Sequence, residues 1–370
     1  MRSPFPSSSA GAFINNMTCA KASILEGESI LLISPHFFDY EKSIMETIRA
    51  LGGEVEYIDE RPANTFLTKG LIRLNAGLLK NRIRDYYRAS LARLGKDRKF
   101  SRVLVISPEA IDAGILHLIK NAYPGAEMIL YMWDSIRNKT GSRNEELLPF
   151  FDRVLSFDRD DCTAIAGMRF RPLFFRNEFA SLADAGTEVS HDISFIGSIH
   201  SDRYSVCSAV GKRAMAMGLN CFFYLYLSDK KLFWIYKMSN RAMRGSRLQE
   251  FSFTPLPYEK VVDVIARSRC VLDIQHPQQN GLTMRTIETL GARRKLLSTN
   301  RSISDYDFYD PANILCIDRE APDFPFDFIM TPYKATSREV YEEYSVCGWL
   351  SDILDTKALV DQKKSIKGRA

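Results

Sequence analysis

The sequence predicts an α/β protein of two Rossmann-like domains facing across a cleft. Three observations lead there. The chain has 370 residues, too many for one ordinary core and suited to two domains of roughly 100–200 residues each. Short apolar runs of β type alternate with helical patterns, which is the signature of parallel sheets joined by crossover helices. The alternation stops over residues 180–191 (SLADAGTEVSHD) and then restarts.

Each element follows from its own pattern. In the first half, residues 30–34 read as a strand, 40–51 as a helix and 54–59 as a strand. A long basic helical stretch covers about 71–94. Residues 102–107 form a strand and 110–122 a helix, with further strands at 128–133, 153–157 and 170–175. In the second half the strands fall at 193–197, 221–227, 270–274, 295–299 and 313–317, and the helices at 203–217, 258–268 and 283–291. The organisation this predicts is a tail over 1–26, a first domain over 27–179 and a linker over 180–191. A second domain follows over 192–336, then a closing helix and tail over 337–370. Val340, Tyr344, Cys347 and Trp349 mark that helix at loosely helical spacing.

Composition narrows the class. Hydrophobic residues are 45% and charged residues 26% of the chain, an ordinary globular balance. The net charge of +5 is too small to argue for nucleic acid. The seven cysteines form no CxxC pair. They read as reduced thiols of a cytoplasmic protein, against a zinc site or a disulfide framework. The longest apolar stretch, 221–227, is far short of the ~20 residues of a membrane span, and the first residues lack the apolar core of a signal peptide.

The chemistry concentrates in residues 278–300, QQNGLTMRTIETLGARRKLLSTN. Ligands in open α/β sheets bind beyond the carboxyl ends of strands. Here a strand ends in a polar loop, Gln275 to Gly281, and a helix begins near Thr283. A helix N-terminus presents unpaired N–H groups and about half a positive elementary charge, which suits phosphate. Gly281 permits close backbone approach, Thr283 suits a cap with a hydroxyl to spare, and Gln278 lies in the same loop. Arg285 in the first turn opposes the helix dipole, so an anion nearby would account for it. Glu288, one turn on, is within reach of ribose hydroxyls. The same residues also fit a plain strand–loop–helix with a solvated Arg285–Glu288 pair.

In the first half, His36 and Asp39 follow the first strand and are the best-placed titratable groups for a catalytic base; Asp39 equally suits the N-cap of the helix at 40. Glu109 and Asp134 stand at other strand ends. Glu60 and Arg61 fit a structural ion pair. The acids of FDRDD, Asp158, Asp160 and Asp161, fit a helix cap better than a metal.

The run GLTMRTIETLGARRKLLSTN, with ISDYDFYDPANI after it, resembles the C-terminal domain of GT-B glycosyltransferases. It is most similar to bacterial lipopolysaccharide and capsular polysaccharide biosynthesis proteins and the spore-maturation glycosyltransferase-like group. YIDERPAN, YMWDS and FDRVLSFDRDD also look like this group, so the likeness covers most of residues 28–350. The resemblance implies a GT-B architecture, with a nucleotide sugar as donor substrate, no cofactor and no metal in the site. It places Glu288 on the donor ribose and Gly197, in FIGS, facing the donor phosphates. The loop offers Gln278, Gln279 and Asn280 where these enzymes often carry an acid. The implied acceptor is lipid-linked or of lipopolysaccharide type.

Residues 69–102 hold eleven Lys or Arg against two Asp, interleaved with apolar residues. Such a basic amphipathic helix reads as a contact with an anionic membrane surface, here the inner face of the cytoplasmic membrane, or as a solvated face packed on the core. A sugar-nucleotide epimerase and a non-catalytic GT-B-like binding or assembly protein are the alternative readings.

Overall fold

The structure, a computed structural model, describes residues 23–65, 68, 76–95, 97–136, 144–182 and 187–356. The expected tails, the middle of the expected linker and residues 69–75 of the basic stretch therefore fall wholly or largely outside the described residues. Two compact units emerge, one from Met1–Leu173 with Val346–Ala370 and one from Phe174–Ser345.

The first unit holds a six-stranded sheet: β1 (Ser29–Ser34), β2 (Glu54–Asp59), β3 (Arg102–Ile106), β4 (Glu127–Met132), β5 (Arg153–Ser156) and β6 (Met168–Phe170). The spatial order is β2-β1-β3-β4-β5-β6, and every pairing is parallel. SILLIS, RVLVI and EMILYM are near-continuous apolar runs because a parallel sheet is covered on both faces. Helix Val346–Ile353 returns to this unit and buries Trp349 edge-on to Tyr131, with ring centroids 4.9 Å apart.

The second unit holds β7 (His191–Ser198), β8 (Cys221–Tyr226), β9 (Phe251–Ser252), β10 (Ser268–Asp273), β11 (Lys295–Ser298) and β12 (Ile314–Cys316). Their order, β12-β11-β10-β7-β8-β9, is again parallel throughout. Counted within the unit it is the doubly wound order, and it reverses between β7 and β10.

Three expectations shift for physical reasons. The strand read at 170–175 is instead β6, which starts two residues earlier and ends at Phe170. Pro172 ends it, and the Tyr131 hydroxyl donates to the carbonyls of Arg171 and Pro172. The helix read from 110 begins at Ala113, capped by Asp112, because the N–H groups of residues 109–111 are taken by the Glu60 carboxylate. Cys347 is disulfide-bonded, whereas the thiols of Cys162, Cys207, Cys221, Cys270 and Cys316 are free; scattered spacing gives no signal of a pairing set by the fold.

Glu60 is fully buried. Burial pushes its carboxyl up to about 7, against the pull of the Ala110 N–H and Arg61. Below pH ~4.5 the group is protonated whether the chain is folded or not. As pH rises, the unfolded chain releases this proton first, so stability falls between about pH 4.5 and 7 and the loss is complete above 7. The shift corresponds to about 3 kcal/mol. Urea unfolding at pH 5 and pH 8 should therefore show wild type losing most of that amount relative to Glu60→Gln. Parallel profiles would refute it.

The basic helix is Lys80–Leu94. Its apolar residues Ile83, Tyr87 and Leu91 are buried in the first unit's core. Lys80, Arg82, Arg88 and Arg93 face solvent, while Arg102 is held between Glu28 and Glu127.

Candidate functional site

The second unit's sheet reverses between β7 and β10, and the polar residues beyond their carboxyl ends converge there. Arg203, the first residue of helix Arg203–Ala216, spans the two strand ends. Its Nε donates to the Ile274 carbonyl at 2.7 Å and its Nη1 to the Ser198 carbonyl at 3.0 Å. Gly197 is the penultimate residue of β7, and a Cβ there would lie 2.9 Å from the Phe195 ring and 3.4 Å from the Arg203 guanidinium. The Arg side chain thus lies over backbone that only glycine leaves open.

Arg319, three residues beyond β12, grips Asp202 with two bonds of 2.7 Å. It also donates to Thr299 Oγ1 and the Gln275 carbonyl at 3.0 Å each. This fork holds the Asp202 carboxyl below its ordinary range. His200 and His276 bring their ring centroids to 5.6 Å at the same edge. Burial and the Arg203 charge push His200 down to about 4, so it is neutral at pH 7. Beside these groups, a cavity of about 380 Å³ is lined by Gln275, Asn280, Asn300, Arg301, Ile317 and Arg319, among others.

The loop 275–281 is fixed from below. Asn300 Nδ2 donates to the carbonyls of Asn280 (3.0 Å) and Gly281 (3.4 Å). Gln278 is exposed, and its N–H lies 3.3 Å from His276 Nδ1. Thr283 caps helix Met284–Gly291 by accepting the Thr286 N–H. Its hydroxyl donates to buried Asp273 Oδ2 at 2.7 Å, and Thr286 donates to the same oxygen at 2.6 Å. Asp273, the last residue of β10, therefore sets where the helix starts. Arg285 Nη1 meets Glu288 Oε2 at 2.7 Å, with side chains 19% and 8% exposed. The pair is half-buried and buried rather than freely solvated, so the chain meets a desolvation cost to keep it at this edge.

In the first unit the sheet reverses between β1 and β3, and His36 stands two residues beyond β1. Its Nδ1 lies 2.5 Å from Glu41 Oε1, with side chains 49% and 3% exposed. A carboxylate only accepts, so in the neutral ring the proton sits on Nδ1 and the lone pair is left on Nε2. Glu41 also accepts the Phe37 N–H at 3.3 Å. Phe38 and Asp39 both adopt left-handed backbone, φ 47° and 60°, and this fold-back lets residue 41 reach residue 36. Asp39 stands at the N-cap, where its carbonyl accepts the Ser43 N–H at 3.2 Å, but its carboxylate makes no side-chain cap bond and pairs with Lys42 at 2.8 Å. His36, Asp39 and Glu41 bring one possible metal-ligand atom each within 4.8 Å of one another. Phe37 sits 5.9 Å from Trp133 between centroids, giving the histidine an aromatic border.

The other acids have structural partners. Glu109 pairs with Arg61 at 2.7 Å. Asp158 caps helix Arg159–Ala164 through the Asp160 N–H, and Asp161 accepts from Ile136 N–H. Glu41, Asp273, Asn300 and Arg319 were not singled out by sequence. Asp273 and Arg319 stand at or just past strand ends, where the carboxyl-end rule would have found them.

No family model matches the sequence, and no curated protein matches it either. Solved structures do. An alpha-glucosyltransferase in complex with UDP and a 13-mer DNA aligns with TM-score 0.55 and 11% identity, covering 91% of this chain and 99% of its own. Anabaena HepE with UDP and glucose aligns at 0.49 and 9%, covering 93% and 100%. The apo lipopolysaccharide outer core galactosyltransferase WaaB aligns at 0.47 and 12%, covering 89% and 99%. Of these three, the first supports the fold. With its two parallel six-stranded sheets, each flanked by helices, the chain has the GT-B fold of two Rossmann-like domains.

Proposed function

We propose that the protein is a glycosyltransferase that moves a sugar from a nucleotide-sugar donor to a lipid-linked, lipopolysaccharide or polysaccharide acceptor. The observation that carries this is the second unit's strand reversal. There Arg203, Arg319 and the start of helix Met284–Gly291 meet a cavity of about 380 Å³, on a fold shared with a glucosyltransferase solved with UDP.

The donor base occupies the cavity. The diphosphate lies at the helix start between Gly281 and Arg285, with Gly197 and Gln278 bordering it, and Glu288 accepts from the ribose hydroxyls. His36 acts in the first unit. Its Nε2 takes the proton of the acceptor hydroxyl as that oxygen bonds to the anomeric carbon, and the bond from that carbon to the diphosphate oxygen breaks. Glu41 holds the ring and stabilises the imidazolium. Asp39 is the alternative base. The helix dipole and the arginines stabilise the leaving diphosphate, so the proposal needs no metal. Phe37 and Trp133 offer apolar faces to an acceptor. The solvent-facing side of Lys80–Leu94 is basic, which supports an electrostatic contact with anionic membrane.

Thermal-shift measurements against nucleoside diphosphates test the donor site. A ligand at 100 times its Kd stabilises by about 2.7 kcal/mol, so one base class should raise Tm clearly. Glu288→Gln, which keeps the shape, is expected to weaken that ligand roughly tenfold through loss of charged hydrogen bonds. The absence of a shift with every nucleoside diphosphate would sink the reading.

A further inference from the structure

Helix Lys230–Ser239 of the second unit buries Phe233 against the core. It turns Trp234, Ile235 and Met238 outward, with exposures of 55%, 53% and 74%. These positions share one helical face, and Lys231 lies one turn before them on it. Residues 230–249 hold six Lys or Arg and no Asp or Glu. Lys230, Lys231, Arg241, Arg244 and Arg247 are all exposed. Lys237 donates to the Ser246 carbonyl at 2.7 Å and lies 5.8 Å from the Trp234 ring centroid, tying the Arg-rich turn to the helix. The flanking acids have partners of their own: Asp229 caps the helix, and Glu250 accepts the Arg247 N–H and the Tyr204 hydroxyl.

We propose that this face docks the second unit on an anionic lipid surface. Trp234, Ile235 and Met238 enter the boundary between headgroups and acyl chains, and the basic side chains meet lipid phosphates. Charge decides the occupant. An apolar protein partner would leave the basic rim unpaired, and three side chains fall far short of the ~800 Å² per partner of a stable protein interface. A tryptophan with basic neighbours is the composition of an interfacial anchor. The basic helix of the first unit has its apolar residues in the core. This face, by contrast, has apolar side chains left to insert. The inference does not rest on the transferase reading.

Co-sedimentation of the full chain with vesicles tests it. Binding is expected to phosphatidylcholine vesicles containing phosphatidylglycerol at low salt, and only weakly to phosphatidylcholine alone. Trp234→Ser with Met238→Ser should weaken binding at least tenfold with the unfolding temperature unchanged. Arg241→Gln and Arg244→Gln should each cost about fivefold, in line with the usual attraction per basic residue. Wild-type binding by the Trp234/Met238 variant would overturn the proposal. So would binding lost only on neutralising Lys80, Arg82, Arg88 and Arg93, or self-association without lipid that the Trp234/Met238 variant abolishes.

Discussion

His36→Ala is expected to lower sugar transfer by about 10²–10⁴-fold, the usual contribution of a positioned general base, while leaving the nucleoside diphosphate thermal shift intact. The imidazole is half-exposed and Glu41 is buried beneath it, so the variant should fold and its loss should fall on kcat. Glu41→Gln should fall in the same direction by a smaller factor, because the amide can donate to Nδ1 and turn the proton to Nε2, the wrong tautomer for a base. Asp39→Asn separates the two candidates. Full activity there, with loss in His36→Ala, assigns the base to His36, and the opposite pattern assigns it to Asp39. Unchanged turnover in all three would remove the first strand's loop from the chemistry.

Trp349→Ala should cost about 3–5 kcal/mol, the range for truncating a large buried aromatic. Trp349 is fully buried. Its edge-on contact with Tyr131 reaches the face of β4 opposite Leu130 and Met132, so the cavity opens against the first unit's sheet. At roughly 2–4 °C per kcal/mol for a domain of this size, calorimetry should show a transition about 10 °C lower. Trp349→Phe should recover most of the loss. A shift under 2 °C would mean that the helix contributes little to the unit. Because the second unit closes at Ser345, a second transition, where it is resolved, should stay in place.

Much of both sheets was legible because parallel strands buried on two faces leave continuous apolar runs, as in Leu31–Ile33 and Val103–Ile106. Helix starts were less legible. The N–H groups that end up satisfied elsewhere belong to whichever side chain the fold brings in, as Glu60 does for residues 109–111. Sequence reads a linker over 180–191 from its lack of apolar periodicity; the compact units divide at Leu173 and Phe174, and residues 183–186 lie outside the described residues. Helix Lys80–Leu94 shows that an amphipathic pattern does not say what its apolar face meets, core or lipid. In the candidate site, the Thr283 cap and the Arg285–Glu288 pair were legible from position alone. Glu41 was hidden because a fold-back through two left-handed residues, one of them a phenylalanine, has no sequence signal.

The return of helix Val346–Ile353 to the first unit bears on the order of synthesis. On the ribosome, β1 to β6 emerge first but lack the helix that buries Tyr131, while everything from Phe174 to Ser345 emerges before that helix does. The unit begun second is therefore the first that is complete, and the one begun first waits with part of its core open until the closing residues leave the exit tunnel. Domains that fold in order from the N-terminus escape this interval. Here the nascent chain has to be kept from aggregating for the time it takes to translate an entire second domain.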